Sequence, residues 1–167
     1  TRVGMPINNL LPKSSMGTSI AVNVGRDKYT INRILQYHQW FKMPYEERSL
    51  YKDYEIISSK SLNLALPQMI IEEAKKNYKK IREKSLNRGS NRRGLEAACI
   101  YFACKNENVP RSSKEIAKEF NIDIKDISKG IKKFTEIMYY VDEEKREEEI
   151  STINPIDFIN RYCSRLK

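Results

Sequence analysis

Between about Arg92 and Asn106 the chain carries Leu95, Ala98, Cys99, Phe102 and Ala103, joined by Ala97, Ile100 and Tyr101. A helix with these residues is apolar nearly all round, and such a helix belongs at the centre of a bundle. Its small residues let neighbouring helices approach closely. The fold class this implies is all-α, with other helices packed around this one.

Those neighbours are legible on both sides. A helix from Thr30 to about Lys42, with Thr30 as its cap, places Ile34, Tyr37 and Phe41 on one face. Met43-Pro44 breaks it. A second helix runs from about Tyr45 to Asn63 with Leu50, Tyr54 and Ile57 aligned. Pro67 opens a third, reaching about Leu86, with Ile70, Ala74, Tyr78 and Ile81 as its stripe. Its lysine row, Lys75, Lys76, Lys79 and Lys80, reads first as a solvated face. After the central helix, Ser112 and Glu115 form a capping-box pattern that opens a short helix to about Phe120. Asn121 is suited to a left-handed turn. The helix that follows aligns Ile124, Ile127, Ile131, Phe134 and Met138. Lys125, Lys129 and Lys132 stack on its other side.

Ala117, Asn121 and Ile127 fall at the small, turn and buried positions of a helix-turn-helix. The same spacing serves bundles that never touch DNA, so the charge carries more of the argument. The net charge is +9 and the pI about 9.4. Residues 142–167 hold five basic and seven acidic side chains, so residues 1–141 carry +11. A basic body of this kind suits nucleic acid better than a membrane. No apolar run approaches the roughly 18 residues that span a bilayer, and no signal peptide is visible.

Catalysis and metal binding are poorly supplied. His38 is the only histidine, and it and Trp40 read as packing or interface residues. An enzyme needs a nucleophile, a base and an orienting group within reach, and no such set stands out. Cys99, Cys104 and Cys163 lack the paired spacing of a zinc site and read as reduced intracellular thiols. Residues 1–27 are punctuated by Gly4, Pro6, Pro12, Gly17 and Gly25 and show no period. They read as a docking segment or an arm folding back on its own domain, and are expected to be largely unordered in the free protein. The run DEEKREEE, 142–149, reads as a solvated helix end or linker. Asn154-Pro155 then caps a last helix carrying Phe158, Ile159, Tyr162, Cys163 and Leu166. Tyr54 to Leu62 and Phe158 to Leu166 share one aromatic-to-leucine spacing, as at the start of a second copy of the fold. The chain opens on Thr-Arg, and is expected to be a piece of something longer.

The stretch AACIYFACKNENVPRSSKEIAKEF, 97–120, closely resembles the central part of the first cyclin-like repeat of the transcription factor IIB family. RVGMPINNLLPKSSMGTSI is similar to that family's reader segment, RILQYHQWFKMPYEERSL to its linker helix, and NPIDFINRYCSRLK to the opening of its second repeat. The wording RRGLEAACIYFACKNENVPRSSKEIA and the Asn/Lys/Ile-heavy composition most resemble versions encoded by large DNA viruses. The resemblance implies a five-helix cyclin-like bundle with an extended N-terminal reader and linker. It divides the chain into a reader-like segment 1–27, linker helix 28–43, first repeat 44–141, acidic linker 142–153 and the start of a second repeat at 154–167.

Function follows by the same resemblance. Such a factor bridges promoter DNA and TATA-binding protein to RNA polymerase, aids DNA opening and start-site selection, and is no enzyme. On that reading Arg2 and the segment 8–15, including Asn8 and Lys13, approach the template, while Arg33, Gln36 and Lys42 face polymerase. Arg88 and Gly89 match a basic-glycine element that touches the DNA backbone, and Lys125 and Lys129 match basic positions on the repeat's last helix. A basic residue that usually follows the glycine is Ser90 here, and Arg92 and Arg93 are expected to reach the same phosphate instead. No cofactor is expected within these residues, though the family's zinc ribbon would lie upstream. The expected state is a monomer in the nucleus or at a viral transcription site. The alternative is a cyclin-fold protein-binding module, such as a kinase regulator, with no DNA role. The reader-like segment argues against it, because a regulator of that kind has no use for one.

Overall fold

The computed structural model describes residues 8–14, 28–85, 87–141 and 155–163, and its regular elements there are all helices. They are α1 (Lys28–Lys42), α2 (Tyr45–Asn63), α3 (Gln68–Lys84), α4 (Ser90–Asn106), α5 (Ser113–Phe120) and α6 (Ile124–Val141). A 3-10 turn, Pro155–Phe158, leads into the short α7, Ile159–Cys163. The chain divides into two units, Thr1–Glu55 and Ile56–Lys167, with the division inside α2. Arg2, most of the 1–27 segment, the acidic stretch 142–153 and the Asn154 cap lie outside the described residues.

In the second unit α4 is the hub, packing against α3, α5 and α6. Leu95, Ala97, Ala98, Cys99, Ile100, Ala103 and Cys104 are all buried, as an all-round apolar helix requires. Around it lie Ile57 of α2, Ile70, Ile71, Ala74 and Ile81 of α3, Ile116 and Phe120 of α5, and Ile127, Phe134 and Met138 of α6. Fully burying one such aliphatic side chain contributes about 1.5–3 kcal/mol before chain entropy is charged against it. Phe102 stacks on Phe134 at 4.2 Å between centroids with the rings nearly parallel.

α4 and α6 approach each other at their backbones. A Cβ at Gly94 would stand 2.6 Å from the carbonyl oxygen of Asp126, and one at Gly130 would overlap the carbonyl of Gly94. Two glycines therefore face each other where the helix backbones meet, and no side chain lies between them.

Local signals set the helix ends. Ser112 accepts from the Glu115 N–H at 3.2 Å while the Glu115 carboxylate accepts from the Ser112 N–H at 3.2 Å, a complete capping box. Ser112→Ala is expected to destabilise the second unit by about 1 kcal/mol, read as a lower urea midpoint. Asn121 closes α5 with φ 51° and ψ 48°, the left-handed turn its side chain tolerates. Ala117 and Ile127 are buried as the helix-turn-helix spacing requires. Two expected boundaries move. α1 begins at Lys28, so Thr30 lies inside the first turn and is no cap. Pro67 stands one residue outside α3, where its carbonyl accepts from the N–H groups of Ile70 and Ile71.

In the first unit, residues 8–14 form a turn against the start of α2. The Lys13 N–H donates to Glu47 Oε1 at 2.7 Å, the Ser14 hydroxyl donates to Glu47 Oε2, and Leu11 is buried. α1 keeps its aromatic face open: Phe41 is 91% exposed, Trp40 57% and Tyr37 44%.

In the second unit Arg161 of α7 donates to Glu115 Oε2 at 2.8 Å, the same oxygen that completes the capping box. Burial pushes the Glu115 carboxyl up, but the bonds from Arg161 and the Ser112 N–H, with the charges of Arg161 and Arg111, outweigh it and hold it below the ordinary range. Ile156, Ile159 and Tyr162 remain exposed, so an ion pair fixes this segment more than its apolar face does.

Candidate nucleic-acid interface

The expected DNA-contacting residues all fall in the second unit, on two elements that meet. Arg88 and Gly89 immediately precede α4, and Gly89 is its N-cap. At φ 61° and ψ −139° this position is strained for any side chain, so a glycine here is a backbone requirement. The carbonyl of Gly89 accepts from the N–H groups of Arg92 and Arg93, which sets the first turn. That turn contains no acidic residue, and the cap offers no side chain to its N–H groups.

Lys125 and Lys129 are exposed on α6. With Ile124, Ser128 and Lys132 they line a shallow depression of about 310 Å³. Lys129 lies 4.0 Å from the half-buried Asp126, with its ammonium largely in water. Two links carry α6 to the arginine turn. Gly94, next to Arg93, crosses Gly130, next to Lys129. The Lys133 ammonium donates to Asn87 Oδ1, just before Arg88. The six expected residues thus lie on two sequence regions whose elements adjoin at one helix crossing. Arg88 and Arg93 are exposed there.

Arg92 is placed differently from its neighbours. Its side chain is 30% exposed, and its Nε faces Glu96 Oε1 at 3.5 Å. The Glu96 carboxylate is buried, and its Oε2 has no hydrogen-bond partner. Desolvation pushes Glu96 up to about 7, against the pull of Arg92, Arg93 and Arg82. Glu96 and Lys133 contact the expected residues or their neighbours, and the sequence alone did not single them out. The i, i+4 spacing of Arg92 and Glu96 was the available signal for the first. Lys133, 46 residues from Asn87, had none.

The residues expected to face template or polymerase fall in the first unit, apart from Arg2, which lies outside the described residues. Asn8 Oδ1 accepts from the Leu10 N–H at 3.0 Å, so this side chain builds the turn. Lys13 pairs with Glu46 at 3.5 Å across exposed surface. Arg33 lies over the Tyr37 ring at 5.7 Å, Gln36 is exposed, and Lys42 is half-buried at the end of α1. Nothing in this geometry gathers them into one site. Among the described residues no group of His, Cys, Asp and Glu could hold a metal ion, and no helix is long and apolar enough to cross a membrane.

The comparisons with known proteins agree with this architecture. The family model described as transcription factor TFIIB repeat matches residues 46–137, which covers α3 to α5 and most of α2 and α6. A transcription initiation factor IIB-like protein of Acanthamoeba polyphaga mimivirus is 38% identical, over 99% of this chain and 37% of its own length. Transcription initiation factor IIB of Dictyostelium discoideum is 30% identical, over 99% of this chain and 48% of its own. That of Drosophila melanogaster is 28% identical, over 99% and 50%. The chain thus spans half or less of the length of these relatives. With the repeat model covering more than half of the chain and a basic face on an all-α, cyclin-like bundle, the chain belongs to the transcription factor IIB family.

Proposed function

We propose that the chain acts in transcription initiation in the manner of transcription factor IIB, as a non-catalytic bridge. Its second unit would hold promoter DNA together with TATA-binding protein, and its first unit would engage RNA polymerase and aid DNA opening and start-site choice. The observation that carries this reading is the basic face at the α4–α6 crossing, lying within the matched repeat. Relatives bearing the name transcription initiation factor IIB, one of them viral, support a nuclear or viral transcription site.

The contacts follow from the chemistry of the face. Arg88, Arg93, Lys125 and Lys129 offer exposed cations to phosphates, and the uncapped first turn of α4 adds N–H groups and the positive end of its dipole. Contacts of this kind position a protein on a duplex and carry little sequence information. With about four phosphates neutralised, the log–log salt slope would be near −3.6, and affinity would fall ~150-fold between 50 and 200 mM salt.

The test is binding to a TATA-containing duplex with and without TATA-binding protein across a salt series. Changing Arg88, Arg93, Lys125 and Lys129 together to Glu should weaken binding by at least about 100-fold and flatten the slope. Unchanged affinity would remove this face from the function.

A further inference from the structure

One feature of the basic face works against phosphate binding. Glu96 carries its carboxylate into the core of α4, with one oxygen on the Arg92 guanidinium and the other without a partner. We propose that Glu96 is a positioning residue that draws Arg92 inward and weakens its hold on DNA, so that protonation of Glu96 strengthens binding. This rests on the DNA-binding role proposed above for the α4–α6 face.

Arg92 Nε is 3.5 Å from Glu96 Oε1, and Arg92 keeps 30% of its side chain exposed against 1% for Glu96. The arginine is therefore shared between a fixed internal anion and whatever lies outside. A phosphate approaching Arg92 must compete with the carboxylate, which cannot turn to water. The groups facing Glu96 are Arg92, Arg93 and Cys99 on α4 and Arg82 and Tyr78 on α3. Three of them are cations, so the site carries excess positive charge whichever way Glu96 titrates.

Linkage fixes the sign. A phosphate beside Arg92 adds negative charge near a carboxylate that burial has already pushed up to about 7. It makes the ionised form of Glu96 less favourable still, so DNA binding takes up a proton. Affinity must then rise as pH falls through neutrality.

The experiment measures affinity for a labelled TATA-containing duplex, with TATA-binding protein present, from pH 6 to pH 8 at constant ionic strength. Wild type should bind about fivefold tighter at pH 6 than at pH 8. Glu96→Gln should bind with the tighter affinity throughout, with a flat profile. His38→Gln, which changes the chain's sole imidazole, should keep the wild-type profile. Should Glu96→Gln fail to fold, calorimetry of wild type in two buffers of different ionisation enthalpy counts the protons absorbed. A fraction of one proton per complex near neutrality is expected, and zero overturns the inference. Binding that is weakened by the Lys125→Glu and Lys129→Glu changes but has a flat pH profile overturns this inference alone. A wild-type chain with no affinity for the duplex overturns both this inference and the function beneath it.

Discussion

Gly130→Ala should destabilise the second unit by about 2–3 kcal/mol, although alanine is the better helix former by about 1 kcal/mol. Two effects of opposite sign meet here. A methyl on Gly130 overlaps the Gly94 carbonyl and lies 3.1 Å from the Leu95 nitrogen. The three nearest atoms are all backbone, so no rotation of a side chain relieves the overlap. α4 and α6 must separate, and the separation loosens the packing of the buried side chains these helices carry, Leu95, Ile127 and Phe134 among them. Steric cost therefore exceeds propensity gain. A urea midpoint lowered by about 1–2 M is the expected reading. Gly94→Ala meets the Asp126 carbonyl at 2.6 Å and acts in the same direction. The two changes fall on one contact, so the double variant should lose less than the sum of the singles. A Gly130→Ala variant as stable as wild type would mean that the helices do not cross this closely.

This crossing also marks how far the sequence could be read. Periodicity shows which face of a helix is buried, and it placed Ile127, Phe134 and Met138 on the inner face of α6. It does not show which helix that face meets. Gly94 and Gly130 are each unremarkable in their own helix, and their meaning comes from a tertiary contact between them. Capping was legible because its chemistry is local: Ser112, Glu115 and Asn121 each act within a few residues of themselves. Glu47 was not legible for the opposite reason. Its partners, the Lys13 N–H and Ser14, lie more than 30 residues upstream in a segment without a period. Residues 8–14 of that segment form a turn against the start of α2, and the rest of it lies outside the described residues. The basic face was read residue by residue through family resemblance. Its assembly around one crossing needed the fold.

Glu96 provides the second large effect, on stability. Its carboxyl stands near 7 in the folded chain against an ordinary value of 4.5. Between these values the native state holds a proton that the unfolded chain has released. Folding stability attributable to this group is therefore full below about 4.5 and falls as pH rises through 7. The whole loss is on the order of 3 kcal/mol. Glu96→Gln keeps the shape and removes the charge that must be desolvated. Arg92, at 30% exposure, can turn its guanidinium to water once the carboxylate is gone, so it leaves no buried cation behind. The Gln variant should therefore match wild type near pH 4 and exceed it by on the order of 2–3 kcal/mol at pH 8. Glu115, held low by Arg161, gives stability of the opposite pH sign, but it does so equally in both proteins and drops out of their difference. Urea unfolding of the two chains at pH 4, 6 and 8 measures that difference directly. A gap that stays constant with pH would show that Glu96 is ionised in the native state throughout, with Arg92 and its cationic neighbours prevailing over burial.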